Sequence, residues 1–217
     1  MKGEFSGSLP AVIYNQANLY EGDLIYYFKT VFHRAQNLNN PYHNFRHVFH
    51  VLWLCHEACM YYHESLNPRD MRNLLIAAMF HDFDHPGIMG DDDLNIERAV
   101  RGLARHIHPK DHLHLDDIVK LIRATEWPYK TDSETLALSA QIIRDADLSQ
   151  CFSVAWIQQT LFGLASEWGK KPFDVLKGQI DFLNKLRFFT EWAQRRFPQS
   201  DIDEKLDEVR GLISLLE

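Results

Sequence analysis

Apolar residues recur along most of the chain at steps of three and four residues, the spacing that places side chains on one face of an α-helix. The clearest run begins at Asn44, a suitable N-cap residue, and ends before Asn67-Pro68. A second run begins at about Asp70 and leads straight into Phe80-His81-Asp82. Few segments alternate apolar and polar residues as a half-buried strand would. The pattern therefore predicts an all-α fold.

Turn residues between the apolar runs divide the chain into further predicted helices. Pro86-Gly87 breaks the chain after the third helix, Asp91 to Asp93 can cap the fourth, and Trp127-Pro128 separates two later ones. No internal repeat or Gly/Ser-rich linker interrupts the pattern, so we expect a single-domain helical bundle over residues 1–217. The expected helices cover about 16–36, 44–66, 70–80, 91–103, 115–126, 133–150, 152–168, 173–196 and 201–216.

Composition and charge exclude several classes of protein. The 217 residues carry a net charge of −7, which argues against a protein that coats nucleic acid. No apolar run approaches the roughly 20 residues that span a bilayer, and the N-terminus lacks the apolar stretch of a signal peptide. The three cysteines are an odd number, so a disulfide framework is not expected. We expect a soluble cytoplasmic protein without nucleic-acid or membrane partners, and its oligomeric state stays open.

Four polar residues lie next to apolar stripes, either at the end of a predicted helix or on its apolar face. They are His47, His81, Asp82 and Asp147. A carboxylate on a buried face is costly unless it is paired, and a metal ion would pair with all four side chains at once. Two imidazoles and two carboxylates suit zinc, iron, manganese or a mixed pair of divalent ions. Asp145 points about 200° away from Asp147 around the helix, so Asp147 is the preferred ligand.

Three ordered motifs contain these residues. Residues 42–47 read YHNFRH, residues 77–87 read AAMFHDFDHPG, and residues 146–149 read ADLS. The chain resembles the HD-domain superfamily of metal-dependent phosphohydrolases. It is most similar to the class I 3′,5′-cyclic nucleotide phosphodiesterases, whose motifs are HNxxH, HDxxHxG and DLS. Shorter similarities at 95–99, 124–126 and 179–182 extend the resemblance over roughly residues 40 to 198.

The resemblance implies a metal-dependent phosphohydrolase that uses two divalent ions (Zn, Mg, Mn or Fe). It implies that one ion is held by His47, His81, Asp82 and Asp147, and the other by Asp82 and water. A hydroxide between the two ions would attack phosphorus. The substrate that the resemblance implies is a nucleotide, and a cyclic nucleotide is the best match.

The resemblance also implies roles for residues around the metal ligands. It makes His43 the general acid that protonates the leaving alkoxide. Catalytic support is expected from Asp84 and His85, nucleotide binding from Tyr42, Gln179 and Phe182, and orientation of ligands or waters from Asn44, Glu97 and Thr125. For Gln179 and Phe182, packing in the core is the alternative interpretation.

One departure from the family pattern leaves the substrate open. The family has Asn three residues after the glycine of HDxxHxG, whereas this chain has Gly90. A nucleotidase or nucleoside-phosphate hydrolase of the HD type is therefore an alternative. A metal-binding sensor or interaction module without catalysis is another, but His43 argues against it because a binding module needs no proton donor.

Overall fold

Helices form the regular secondary structure of residues 9–217, the part of the chain that the computed structural model describes. Residues 1–8, on which the expected absence of an export signal partly rests, lie outside the described residues. Within 9–217 there is no β-strand, and the all-α prediction is confirmed. The α-helices are α1 (Ala11–Tyr14), α2 (Ile25–Arg34), α3 (Phe45–Tyr61), α4 (Pro68–Phe80), α5 (Asp92–His106), α6 (Leu115–Ala124), α7 (Leu138–Leu148), α8 (Gly163–Glu167), α9 (Pro172–Lys185), α10 (Glu191–Arg196) and α11 (Gln199–Leu216). Shorter 3₁₀ segments cover Pro109–His114, Ser133–Thr135 and Ser149–Phe152, and a π-helix covers Ile157–Phe162.

Helix α4 lies at the centre of the bundle and packs against α3, α6 and α7. All of its residues from Met71 to Phe80 are buried, as expected for a helix surrounded by other helices. Its start is fixed by Asn67, whose side-chain oxygen accepts from the backbone N–H of Asp70 at 2.8 Å, and by Pro68 in the first turn. No helix among residues 9–217 combines the length and apolar character that crossing a membrane requires.

The predicted helix at 16–36 is shorter in the structure and begins at Ile25. The preceding residues form a loop around the Asn15 side chain, which accepts from the Leu19 N–H at 2.8 Å and donates to the Gly22 carbonyl at 2.7 Å. These side-chain hydrogen bonds take the place of helical backbone hydrogen bonds. The spacing of apolar residues does not predict them.

The predicted helix at 173–196 is divided into α9 and α10. The carboxylate of Asp145 accepts from the backbone N–H groups of Phe189 (3.0 Å) and Thr190 (2.8 Å) and from the Thr190 hydroxyl (2.7 Å). Asp145 thus holds the connection between the two helices in a non-helical conformation.

Two other predicted helices also differ in their limits. The segment predicted at 133–150 begins its α-helix at Leu138, after a 3₁₀ turn at Ser133–Thr135. The segment predicted at 152–168 consists of the π-helix Ile157–Phe162 followed directly by α8. A π-helix inserts an extra residue into the turn and is often found at functional sites.

A buried ion pair joins α4 to the 3₁₀ segment before α6. Arg72 and Asp111 are 1% and 0% exposed, and the guanidinium donates to both carboxylate oxygens at 2.9 and 2.8 Å. The Tyr27 hydroxyl and the Arg69 guanidinium also donate to this carboxylate, at 2.8 and 2.7 Å. Burial would raise the pKa of Asp111, but these donors, with Arg72 foremost, hold it well below its usual range.

We expect Asp111→Asn to lower the free energy of unfolding at neutral pH by about 3–5 kcal/mol, because it leaves the buried Arg72 cation without a counter-charge. The difference from wild type should shrink as pH falls below about 4. The depressed pKa of Asp111 contributes stability above the unfolded-state pKa and loses it as the pH drops toward the folded-state value. Urea unfolding at several pH values measures both effects. The exposed Asp116→Asn is the matched control, and equal losses in the two variants would contradict the prediction.

Candidate active site

A cavity of about 780 Å³ opens where α3, α4, α7 and α9 meet. His47 in the first turns of α3, His81 and Asp82 directly after α4, and Asp147 near the end of α7 all line it. Helix ends converge here because α4 stops at Phe80, which lets two neighbouring residues, His81 and Asp82, face the same point.

The four predicted metal ligands are brought together in the structure. The Nε2 atom of His47 is 3.0 Å from Asp147 Oδ1 and 3.3 Å from Asp82 Oδ2. The Nε2 atom of His81 is 3.1 Å from Asp82 Oδ2 and 3.3 Å from His47 Nε2. Asp145, the alternative to Asp147, faces the α9–α10 connection instead.

Hydrogen bonds on the far side of each imidazole direct its Nε2 atom toward the carboxylates. The Nδ1 of His81 lies 2.9 Å from the Ala78 carbonyl oxygen, to which it donates. The Nδ1 of His47 lies 3.4 Å from the side-chain oxygen of Gln150. Such partners fix the tautomer and ring orientation of metal-binding histidines. Gln150 did not emerge from the sequence, because nothing in its spacing relates it to His47.

The donor set fits a divalent metal ion. The Oδ2 atom of Asp82 is buried and has no hydrogen-bond partner among residues 9–217, a costly state that a bound cation would relieve. His47, His81 and Asp82 each offer one ligand atom within 4.8 Å of the others. Two imidazoles with two carboxylates suit zinc, iron or manganese.

Buried charges dominate the electrostatics of this cluster. Burial alone would lower the pKa of His47, but the adjacent carboxylates of Asp147 and Asp82 raise it to about 9. The pKa of His81 is also raised, since the adjacent Asp82 carboxylate outweighs the effect of burial. The neighbouring imidazoles in turn hold the pKa of the Asp82 carboxyl well below its usual range despite burial.

His43, the predicted general acid, is oriented by Glu167. The Nδ1 of His43 lies 2.5 Å from Glu167 Oε2, and Glu167 Oε1 accepts from the backbone N–H groups of Tyr42 and His43 at 2.8 and 2.9 Å. Burial raises the pKa of Glu167, but the His43 side chain and these N–H groups lower it overall. Sequence reasoning missed Glu167, because it lies 124 residues beyond His43 and belongs to none of the quoted motifs.

The loop that carries His43 is held by the π-helix and α8. Gln159 donates to the Tyr42 carbonyl oxygen at 2.9 Å and to the Asn44 side-chain oxygen at 3.1 Å. Gly163 permits the close approach of this segment, since a Cβ atom there would lie 2.7 Å from the Pro41 carbonyl oxygen. The position of His43 therefore depends on a segment more than 110 residues away in the sequence.

The two predicted catalytic residues next to Asp82 lie in different places. His85 lines the cavity, and its ring stacks on that of His43 with 3.7 Å between centroids. Its Nδ1 accepts from the Gly87 N–H at 3.1 Å, and burial, then the neighbouring His43, lowers its pKa to about 4, so the ring is neutral near pH 7. Asp84 does not line the cavity, and its carboxylate accepts from the Gln36 N–H at 3.0 Å.

The three residues expected to orient ligands or waters do not all lie at the cavity. Asn44 caps α3 by accepting from the Arg46 and His47 N–H groups, which positions His47. Thr125 lines the cavity and donates its hydroxyl to the Ile122 carbonyl oxygen at 2.8 Å. Glu97 lies outside the cavity and is ion-paired with Arg123 at 2.6 Å on the surface.

The three residues expected to bind the nucleotide all line the cavity. Tyr42 stands beside His47, with 4.9 Å between ring centroids. Gln179 and Phe182 approach from α9, and Gln179 is 7% exposed. The cavity thus has a charged end at the four predicted metal ligands and a wall on α9 that includes the Gln179 amide and the Phe182 ring.

Comparison with known proteins assigns the family. The family model described as 3′5′-cyclic nucleotide phosphodiesterase matches residues 42–169, more than half of the chain. This range contains the four predicted metal ligands, His43 and Glu167, whereas Gln179 and Phe182 lie beyond it. The helical fold and the histidine–aspartate cluster are thus part of a recognised hydrolase class. The chain belongs to the 3′,5′-cyclic nucleotide phosphodiesterase family.

Individual relatives match parts of the chain. It is 34% identical over 83 residues to the high-affinity cGMP-specific 3′,5′-cyclic phosphodiesterase 9A of Pan troglodytes and, equally, of Homo sapiens. Each match covers 35% of this chain and only 13% of the relative. The crystal structure of the phosphodiesterase domain of Salpingoeca rosetta rhodopsin phosphodiesterase is similar in fold, with a TM-score of 0.58 and 17% identity over 89% of this chain and 80% of that one.

The raised pKa values of His47 and His81 predict that metal binding releases protons. A metal ion requires neutral imidazole, so binding of Zn²⁺ at about pH 7.5 should release about one proton from each histidine. The metal affinity should rise with pH through about 9, the pKa of the metal-free His47, because fewer protons then have to be displaced by the ion. Calorimetric titration in two buffers of different ionisation enthalpy counts the protons, and zero release at pH 7.5 would contradict the prediction.

Proposed function

We propose that the chain hydrolyses the phosphodiester of a 3′,5′-cyclic nucleotide in a reaction that depends on divalent metal ions. The observation that carries the proposal is the convergence of two imidazoles and two carboxylates beside the His43–Glu167 pair in one cavity. Family membership supports it, because the family acts on this class of substrate. A binding module would need the cavity and the cluster, but not an oriented proton donor.

His47, His81, Asp82 and Asp147 would hold one ion, and Asp82 would also contribute to a second. When bound, divalent ions lower the pKa of coordinated water and neutralise charge on phosphoryl oxygens. The chain's own contribution is to hold four ligand atoms within 3.0–3.6 Å of their neighbours before any ion arrives.

His43 is the proton donor in this proposal. Its Nδ1–H is directed to the Glu167 carboxylate, so the proton that can reach the substrate is on Nε2. That proton passes to the leaving alkoxide oxygen as its bond to phosphorus breaks. The Glu167 carboxylate stabilises the imidazolium before transfer and fixes the ring, and the stacked His85 ring restricts its rotation.

The α9 wall would take the base of the nucleotide. The Gln179 amide makes no hydrogen bond with another residue in 9–217, so its donor and acceptor are available to a base edge. Phe182 and Tyr42 offer apolar surface on the same cavity. A pocket with apolar walls and a few fixed polar groups is typical of small-ligand sites.

The direct test is an assay of the purified protein, without chelator, on cyclic and linear nucleotides in the presence of Mn²⁺, Mg²⁺ or Zn²⁺. We expect cleavage of at least one 3′,5′-cyclic nucleotide, and we expect EDTA and the Asp82→Ala substitution each to abolish it. Adding metal back after EDTA should restore the full activity of the wild-type protein. The exposed Asp116→Ala is the matched control and should keep full activity and metal content. Cleavage of linear nucleotides alone would replace the proposal with a nucleotidase, and stoichiometric metal without any turnover would replace it with a sensor.

Replacing the partner of the proton donor should slow the reaction without emptying the metal site. We expect Glu167→Gln to lower kcat by about 10- to 100-fold, a part of the roughly 10²- to 10⁴-fold contribution typical of a positioned acid, because a neutral amide no longer stabilises the His43 imidazolium. Metal content measured by mass spectrometry should be unchanged. His43→Ala should lower kcat at least as much, and unaltered turnover in that variant would exclude His43 as the acid.

A further inference from the structure

Trp127, Pro128 and Tyr129, in the segment between α6 and α7, line one wall of the cavity and have no role in the functions assigned above. It is fastened to the start of α5, where the Trp127 N–H donates to Asp92 at 2.5 Å and the Lys130 ammonium pairs with Asp93 at 2.7 Å. Tyr129 lies between these two anchors and lines the same cavity as the metal ligands. The wall is therefore a fixed part of the site.

Tyr129 is held from behind by a buried cation. The guanidinium carbon of Arg144 lies 4.0 Å from the centre of the Tyr129 ring. Arg144 is 3% exposed and donates to the carbonyl oxygens of Ala124 and Thr131 and to the Ser133 hydroxyl, at 2.5, 2.8 and 2.8 Å. Among residues 9–217 no carboxylate pairs with this guanidinium, and the face of the Tyr129 ring packs against it as a cation–π contact.

The hydroxyl of Tyr129 lacks a hydrogen-bond partner. Its oxygen is closed to solvent, and within residues 9–217 no group donates to it or accepts from it. A buried hydroxyl is normally hydrogen-bonded, and an exception calls for an explanation such as an absent ligand. Asp82 Oδ2 in the same cavity is in the same state.

The Tyr129 hydroxyl is suited to donate a hydrogen bond, because its proton is retained at neutral pH. Burial, and after it the Asp147 carboxylate, raises the pKa of Tyr129 well above its usual value, so the phenol stays protonated at neutral pH. Arg144 precedes Asp147 by three residues on α7, so the Tyr129 ring that packs on Arg144 lies along the same side of that helix as Asp147.

We propose that the Tyr129 hydroxyl donates a hydrogen bond to a phosphoryl oxygen of the bound nucleotide, which makes Tyr129 a further catalytic residue for the function proposed above. No proton is transferred from the phenol. Negative charge builds on the phosphoryl oxygens as water adds to phosphorus, and a donor already fixed in place stabilises that charge without reorganisation. Arg144 positions the ring, and its charge beneath the ring strengthens the O–H as a donor.

The test compares Tyr129→Phe, which removes only the hydroxyl, with Tyr61→Phe. Tyr61 also lies over an arginine, with the Arg195 guanidinium carbon 5.7 Å from its ring centre, but it does not line the cavity. With metal-loaded proteins we expect Tyr129→Phe to lower kcat/KM by about 10- to 100-fold, mostly through kcat, with unchanged metal content. Tyr61→Phe should match wild type.

A second measurement, of ligand binding, does not depend on catalytic turnover and therefore tests Tyr129 independently of the proposed function. Binding of a nucleoside 5′-monophosphate and of the matching nucleoside is measured by calorimetry on the same metal-loaded proteins. Tyr129→Phe should weaken the monophosphate about tenfold and leave the nucleoside unchanged. Wild-type inactivity on every cyclic nucleotide would refute the proposed function, while this difference in binding would still support the phosphate contact. Equal monophosphate binding in both proteins, or loss of metal from Tyr129→Phe, would overturn the inference about Tyr129.

Discussion

The structure depends on the concentration of charge at one buried point. Two carboxylates, Asp82 and Asp147, and two imidazoles, His47 and His81, meet at the ends of three helices, where water cannot solvate them all. Such a cluster is stable only if its charges are balanced, by protons in the metal-free protein or by cations in the loaded one. The surrounding bundle supplies the rigidity that keeps these groups together, with α4 buried on every side and tied to its neighbours through Arg72 and Asp111.

The proposed proton donor is positioned by a different part of the chain from the proposed metal ligands. His43 begins the segment that leads into α3, but its orientation comes from Glu167 at the end of α8. The π-helix and Gly163 bring that segment against the backbone at Pro41 and Tyr42. The position of His43 and the convergence of the four proposed metal ligands thus rest on separate contacts.

Periodicity predicted what depends on local spacing, and it failed where a distant side chain decides the backbone. The helices around Asn44 and the central α4 followed from apolar steps and caps, and the motifs named all four residues that converge. The break between α9 and α10 depends on Asp145, more than 40 residues earlier, and the loop before α2 depends on Asn15. Glu167 and Gln150 were missed for the same reason, and Asp84 and Glu97 were included by motif although both bond elsewhere.

Helix α7 carries two carboxylates that serve opposite sides of the molecule. Asp147 faces the imidazoles, whereas Asp145, two residues earlier and about 200° around the helix, holds the α9–α10 connection. Residues Leu186, Arg187 and Phe189 of this connection border the cavity. Helix α7 therefore links the end of the cavity that carries the histidine–aspartate cluster to the wall formed by the α9–α10 connection. Thermodynamic linkage is reciprocal, so any change that an ion at the cluster makes in the affinity for a ligand at this wall is matched by an equal change that the ligand makes in the affinity for the ion.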